Sequence, residues 1–339
     1  MRREKRSVLG LRLICVIREI YVIRGSISCS GLRLDCVVEL LLHWLLSAAK
    51  SSRTKIPTPL SWFAREGSMR VVLLAGGMGT RLQEETVARP KPMVEIGGKP
   101  ILWHIMKHFA HHGCDEFLVA LGYMGDFIKS YFLDRYNLNG NLTIDFGRNV
   151  LHRETQEVED WSVGLIETGT STNTGGRLLR LKHLLDTDTF MLTYGDGVSN
   201  VNLTDLLAFH KSHGKIATVT AVRPPARFGG LVINDGMVDN FTEKPVAGEG
   251  WINGGFLVFE PAIFDYLVSD ADSLEANALE RVAADGQLAA YQHGGFWQCM
   301  DTLRDKTYLE KLWQSGDAPW RTWGGDVVIP RFQVRPKAA

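Results

Sequence analysis

Four branched apolar residues, Val71 to Leu74, break off into Ala75, Gly76, Gly77, Met78, Gly79, Thr80 and Arg81, and ten residues after Arg81 a lysine, Lys91, stands between Pro90 and Pro92. A run this short and this rich in branched residues reads as a buried strand. Glycines directly after it require a tight turn with a bare backbone. A strand that empties into such a turn belongs to an α/β sheet whose ligands gather at the carboxyl ends of its strands. Bared amides facing two cations, Arg81 and Lys91, suit a polyphosphate. The flanking prolines stiffen Lys91, which suits a cation that must meet a phosphate at a fixed point. The glycines alone say less, since a ligand-free strand–helix turn also uses them. A dinucleotide-binding turn wants a third glycine where Leu82 stands, and an acidic residue closing the next strand. A P-loop wants Gly-Lys-Ser/Thr. The chain lacks a convincing form of either.

From Met69 the pattern alternates. Strands are expected over residues 70–74, 116–122, 143–146, 163–167, 190–194 and 217–222. Helices are expected over 101–112, 124–132, 177–185 and 203–213. Such β-α-β alternation predicts a mostly parallel sheet flanked by helices. After Pro224 come short strands over 231–233, 238–242, 256–259 and 287–293, with helices over 261–267, 274–285 and 302–313. This β-rich second half reads as the substrate-facing part of the same domain, since no linker separates it from the first.

The formal net charge is zero over 339 residues, which gives nucleic acid or an acidic membrane no electrostatic claim on the chain. The balance is uneven, however. Residues 1–68 carry 12 Lys+Arg against 5 Asp+Glu, leaving 26 against 33 for residues 69–339. Arg12, Arg18 and Arg24 interrupt what would be the apolar core of a signal peptide. The most hydrophobic run, residues 37–46, contains Glu39 and at about ten residues is too short to span a bilayer. Residues 1–68 are therefore expected to be a misplaced translation start or a dispensable extension, with a loosely folded membrane-surface arm as the alternative. Residues 69–323 form the expected domain, and 324–339 an irregular tail. Cys15, Cys29, Cys36, Cys114 and Cys299 show no CxxC and no paired spacing, which suits a reducing cytoplasm.

Other constellations carry chemistry. Asp196, in Tyr194-Gly195-Asp196-Gly197, follows an apolar strand and is placed for a hard cation such as Mg²⁺; the plain alternative is an Asx turn. Asp301 could join it, could simply N-cap the helix that starts at Thr302, or could do both. Two aspartates from distant parts of the chain, beside a polyphosphate turn, suit metal-assisted phosphoryl or nucleotidyl transfer. Glu243-Lys244-Pro245 and Ile252-Asn253-Gly254-Gly255 could address a sugar phosphate, or be surface turns. In Thr172-Asn173-Thr174-Gly175-Gly176-Arg177 the glycine pair could face a base or phosphate with Arg177 as a planar multi-donor fork. A helix start with an exposed arginine is the plain alternative. His104 and His108, with His111 and His112, lack the HExxH glutamate and have Lys107 beside them, so zinc is not expected.

LAGGMGTRL…RPKPMVEIGGKPIL resembles the signature of the sugar-phosphate nucleotidyltransferase family. Together with TGGRL, TYGDGV, FTEKP, INGGFLVFEP and GFWQCMDTLRDK it looks most like the branch acting on glucose 1-phosphate with CTP. The resemblance spans residues 69–323. It implies a Rossmann-like α/β nucleotidyltransferase fold and a Mg²⁺-dependent reaction of CTP with α-D-glucose 1-phosphate. The products would be CDP-glucose and diphosphate, feeding dideoxysugar synthesis for bacterial surface polysaccharide. By motif match, Leu74, Ala75, Gly76, Gly77, Met78, Gly79, Thr80, Arg81 and Lys91 would hold the nucleotide. Thr172, Arg177 and Gly195 would contact substrate, Asp196 and Asp301 would bind the metal, and Glu243, Lys244 and Asn253 would address the sugar phosphate. Arg81, Lys91 and Asp196 would carry the catalytic load, and a homo-oligomer is implied. A uridylyl- or thymidylyltransferase, and a non-catalytic nucleotide-sugar sensor, remain the alternatives.

Overall fold

The computed structural model describes residues 69–79, 82–154, 159–224, 230–234, 237–242 and 250–324. The expectations for residues 1–68, Thr80, Arg81, Glu243, Lys244 and the tail beyond 324 lie outside the described residues.

Strand β1 (Arg70–Leu74) leads through the glycine turn to α1 (Gln83–Thr86), a 3₁₀ turn at Lys91–Met93, the ladder β2 (Glu95–Ile96) and β3 (Lys99–Pro100), and α2 (Ile101–His111). Next come β4 (Glu116–Leu121), α3 (Gly125–Leu138), the hairpin β5 (Asn141–Asp145) and β6 (Val150–Glu154), and β7 (Ser162–Glu167). The chain continues with α4 (Thr174–Arg180), α5 (Lys182–Leu185), β8 (Phe190–Tyr194), β9 (Gly197–Ser199), α6 (Leu203–His213) and β10 (Ala217–Val222). The hairpin β11 (Gly230–Asn234) and β12 (Met237–Thr242) precedes β13 (Ile252–Phe259), a 3₁₀ segment Pro261–Tyr266 and a π-helical segment Leu274–Leu279. Then α7 (Glu280–Ala284), β14 (Leu288–His293), β15 (Trp297–Cys299) and α8 (Leu303–Gln314) complete the described chain.

Seven strands form the central sheet in the order β14-β10-β13-β8-β1-β4-β7. β1 lies parallel to β4 and β8, β4 to β7, and β10 to β14, whereas β13 is antiparallel to both of its neighbours. The expected mostly parallel sheet is present with one strand reversed. The described residues between β10 and β13 hold a hairpin and no helix, and antiparallel neighbours need no crossover helix.

Along β1, Val71 and Leu73 join one apolar cluster with Phe109, Phe117 and Phe256, while Val72 and Leu74 join another with Leu118, Phe190 and Leu257. The sheet is thus covered on both faces. That is why its central strands are continuously apolar instead of alternating. Helix α2 turns Ile101, Leu102, Ile105, Met106 and Phe109 inward at helical spacing. Asn202 caps α6 by accepting from the Thr204 and Asp205 amides. No helix among the described residues is long and apolar enough to cross a membrane.

Several elements differ from the sequence pattern. The helix expected over 124–132 runs on to Leu138, and that expected over 177–185 starts at Thr174 and divides at Leu181. Residues 261–266 are 3₁₀, and the helix expected from 274 begins with a π turn. β2, β3, β6, β9 and β15 were not expected, and all but β6 are only two or three residues long, defined by their partners more than by their own periodicity.

From β1 the chain proceeds outward to β4 and β7, then returns to the opposite side of β1 as β8. The β1/β8 boundary is therefore the point where strand order reverses, where an open α/β sheet leaves a crevice.

Candidate functional site

At that crevice the Gly195 amide donates to the Leu74 carbonyl (3.0 Å), joining the Asp196 turn to the glycine turn. A cavity of about 310 Å³ opens here, lined by Leu74, Ala75, Gly76, Gly77, Gly79, Lys91, Thr172, Arg177, Tyr194, Gly195 and Asp196 among others. Most of the nucleotide-side residues expected from the sequence converge on it. Met78 turns its side chain outward and is 64% exposed.

Arg177 is buried at the base of the turn. Its Nη1 donates to the carbonyls of Leu121 (3.0 Å) and Gly169 (2.7 Å) and to Thr168 Oγ1 (2.8 Å), and Nη2 donates to the Gly76 carbonyl (3.0 Å). The fork expected to face a ligand lines the cavity but spends these donors on main-chain oxygens and Thr168, and the exposed-arginine alternative fails. A Cβ on Gly76 would lie 2.3 Å from this guanidinium, so any side chain there would displace the Arg177 fork. Burial, with the like charge of Arg180, lowers the Arg177 pKa. The glycine pair opening α4 also differs from expectation. A Cβ on Gly176 would lie 2.4 Å from the Asp270 carbonyl, and the Gly176 amide donates to the Asp272 carbonyl. The pair lets two backbones touch and does not face the cavity wall.

Lys91 joins the distant parts of the site. Its Nζ lies 2.6 Å from Asp196 Oδ2 and 2.5 Å from Asp301 Oδ1. Burial opposes its charge, but the two carboxylates outweigh burial and hold its pKa above the ordinary lysine value. The ladder between β9 and β15, in which Cys299 pairs with Gly197, carries Asp301 to Asp196, and the Met300 amide donates to the Asp196 carbonyl (2.8 Å). Asp301 is not the N-cap of α8. Thr302 is, in a capping box with Asp305, and the Asp305 carboxylate also accepts from the Asp301 amide (3.1 Å). The Cys299 thiol donates to Asp301 (3.7 Å), and burial with the nearby Asp301 carboxylate pushes its pKa up to about 12.

The two carboxylates thus converge on one cation, the Lys91 ammonium. Among the described residues no group of three or more His, Cys, Asp or Glu could hold a metal. A cation here would take two carboxylates and complete its shell from ligand oxygens and water, as Mg²⁺ does. The histidines of α2 and its C-cap face separate partners: His104 Nε2 meets the Ile96 carbonyl, His108 Nδ1 meets Thr322 Oγ1, and His112 Nδ1 meets the His108 carbonyl.

Asn253 stands exposed near the start of β13, outside the cavity lining, with Nδ2 donating to the Tyr194 hydroxyl (3.4 Å). Sequence reasoning missed the Tyr194 hydroxyl, the Thr168 hydroxyl beneath Arg177, and Glu275, which accepts from Tyr194. Local pattern could not flag them, because each partner is distant in the chain or lies in a loop.

Residues 70–302 match the profile of the nucleotidyl transferase family. The chain belongs to that family. This nucleotidyl transferase is 50% identical over 256 residues to glucose-1-phosphate cytidylyltransferase from Salmonella typhimurium, which covers 75% of this chain and 100% of the relative. It is 44% identical over 256 residues to the probable glucose-1-phosphate cytidylyltransferase of Bacillus subtilis, again 75% of this chain and 100% of the relative. Among solved structures, HddC from Yersinia pseudotuberculosis is similar with a TM-score of 0.54 at 23% identity, covering 72% of this chain and 99% of that one, a likeness of fold alone. The fold of the transferase is the α/β nucleotidyltransferase fold implied by the sequence motifs.

Proposed function

We propose that this nucleotidyl transferase moves the cytidylyl group of CTP onto α-D-glucose 1-phosphate, giving CDP-glucose and diphosphate. The observation that carries the reading is 50% identity to a glucose-1-phosphate cytidylyltransferase matched along its whole length. The site geometry supports it by joining a glycine turn, a buried lysine and Asp196 around one cavity, with Asp301 held on the same lysine.

The nucleophile is ready-made, because a sugar-phosphate oxygen is already anionic near neutral pH and needs no strong general base. That oxygen bonds to the α-phosphorus of CTP as the bond from this phosphorus to the bridging oxygen of the leaving diphosphate breaks, and the electron pair departs with the diphosphate. Catalysis then consists of holding two anions together and dispersing charge. The backbone of residues 76–79 and the Lys91 ammonium would meet phosphate oxygens, with Arg177 bracing the turn from below. Asp196 and Asp301 would hold Mg²⁺, which supplies charge neutralisation at the α-phosphate and the leaving group. Arg81 would add positive charge to the nucleotide phosphates, and Glu243, Lys244 and Asn253 would address the sugar phosphate. The same proposal includes a homo-oligomer, a cytoplasmic site of action and a product used for dideoxysugars of bacterial surface polysaccharide.

The test is diphosphate release with glucose 1-phosphate and CTP, UTP or dTTP in turn. CTP is expected to be strongly preferred. Preference for UTP or dTTP would replace the cytidylyl reading, and binding of CDP-glucose with no diphosphate release from any nucleotide would make the protein a sensor.

A further inference from the structure

Glu275 stands behind the cavity wall formed by Tyr194 and Thr174. Its carboxylate accepts from the Tyr194 hydroxyl (2.5 Å), Thr174 Oγ1 (2.8 Å) and Ser273 Oγ (2.7 Å). An ionised carboxylate can only accept, so each of these three hydroxyl protons is committed toward Glu275. Burial works against that ionised state, but the hydrogen bonds from Tyr194, Ser273 and Thr174 outweigh it and hold Glu275 below its ordinary pKa. With its proton turned to Glu275, the Tyr194 oxygen offers only lone pairs elsewhere, and the Asn253 amide takes one of them. The support is rigid: residues 270–272 touch α4 backbone to backbone, and the Leu274 amide donates to Thr174 Oγ1 (2.9 Å). Glu275 also lies in a π-helical turn, a geometry frequent at functional sites.

We propose that Glu275 is a positioning residue for the sugar phosphate, locking the Tyr194 hydroxyl as an acceptor toward Asn253 and a hexose hydroxyl. The inference rests on the reading above that Asn253 faces the sugar phosphate. A hexose hydroxyl has a proton to give, whereas a phosphate dianion has none and is repelled by an acceptor backed by a carboxylate. The wall therefore selects which end of the sugar phosphate lies against Tyr194, and leaves the phosphate end for the Lys91 side.

The experiment compares Tyr194→Phe, Glu275→Gln, their double variant and Asn253→Ala, varying CTP and glucose 1-phosphate separately. Tyr194→Phe and Glu275→Gln should each raise KM for glucose 1-phosphate about tenfold, with kcat and KM for CTP within about twofold of wild type. The double variant should be no worse than the worse single, because both break one link. Multiplying effects in the double variant, or an equal loss for both substrates, would overturn the proposal. So would an unchanged KM in Tyr194→Phe, which leaves the Glu275 helix intact and decides the matter even if Glu275→Gln folds poorly. If Asn253→Ala raises KM for glucose 1-phosphate while Glu275→Gln does not, the positioning role fails and the sugar-side reading stands. If Asn253→Ala changes nothing, the sugar-side reading fails and the positioning role with it.

Discussion

Methionine in place of Lys91 keeps the length and apolar stem of the side chain and deletes only the charge that joins Asp196 to Asp301. The ammonium lies 2.6 Å from one carboxylate and 2.5 Å from the other. Lys91 and Asp301 are each 8% exposed, but the Asp196 side chain is 31% exposed and can recover part of its hydration. Breaking a buried pair by removing one partner costs about 3–5 kcal/mol, and the wetter Asp196 reduces this to about 2–4 kcal/mol. In a domain of this size each kcal/mol moves Tm by about 2–4 °C, so scanning calorimetry without divalent ions should record a fall of about 5–15 °C. Because Lys91 is held above its ordinary pKa, its contribution is complete below about pH 10 and is lost only as pH climbs past that value. A second arm adds Mg²⁺. A dication can replace the ammonium between the carboxylates, so the variant should gain more than the wild type, about 2.7 kcal/mol at a hundredfold excess over Kd. A Tm within about 2 °C of wild type would refute the bridging role, and equal Mg²⁺ responses would refute the two-carboxylate metal site.

Asp196→Asn should lower turnover at least ~10²-fold in the diphosphate-release assay, and near-normal turnover would remove its role in charge stabilisation. Arg177→Lys cannot reproduce a fork that meets the Leu121, Gly169 and Gly76 carbonyls together, so KM for CTP should rise about tenfold; an unchanged KM would show that the turn needs no brace. Gly176→Ala should cost about 1–3 kcal/mol in urea unfolding, since its Cβ would meet the Asp270 carbonyl at 2.4 Å and both partners are backbone. Burial, only partly offset by the bond to the Ile96 carbonyl, pushes His104 down to about 4. As pH falls below about 6.5 the unfolded chain takes up this proton first, and stability drops by about 1.4 kcal/mol per pH unit until the folded state also protonates. His104→Gln should therefore show a shallower loss of stability between pH 7 and 5, and equal slopes would contradict a neutral His104.

The glycine turn, Lys91 and Asp196 were legible because each has a strong local marker: an apolar strand on one side, or prolines on both. The same markers misled where a second partner was involved. Gly175 and Gly176 looked like room for a ligand and are room for another stretch of backbone. Capping was an added role open to Asp301, but Thr302 caps the helix and Asp305 holds the Asp301 amide. Glu275 carried no marker at all, since Tyr194 lies 81 residues away in the chain.

By itself, then, the sequence determined the α/β class, the strand that ends in a phosphate-suited turn and the identity of most cavity-lining groups, because periodicity and short-range sterics are written in neighbouring residues. Only the tertiary structure decided that Lys91 meets carboxylates 105 and 210 residues away, and that Arg177 points beneath the turn. Those outcomes depend on the β9–β15 ladder, the reversal of strand order at β1 and the packing of α4 on residues 270–272. Contacts of that kind follow from how distant segments close on one another, and no local pattern records them.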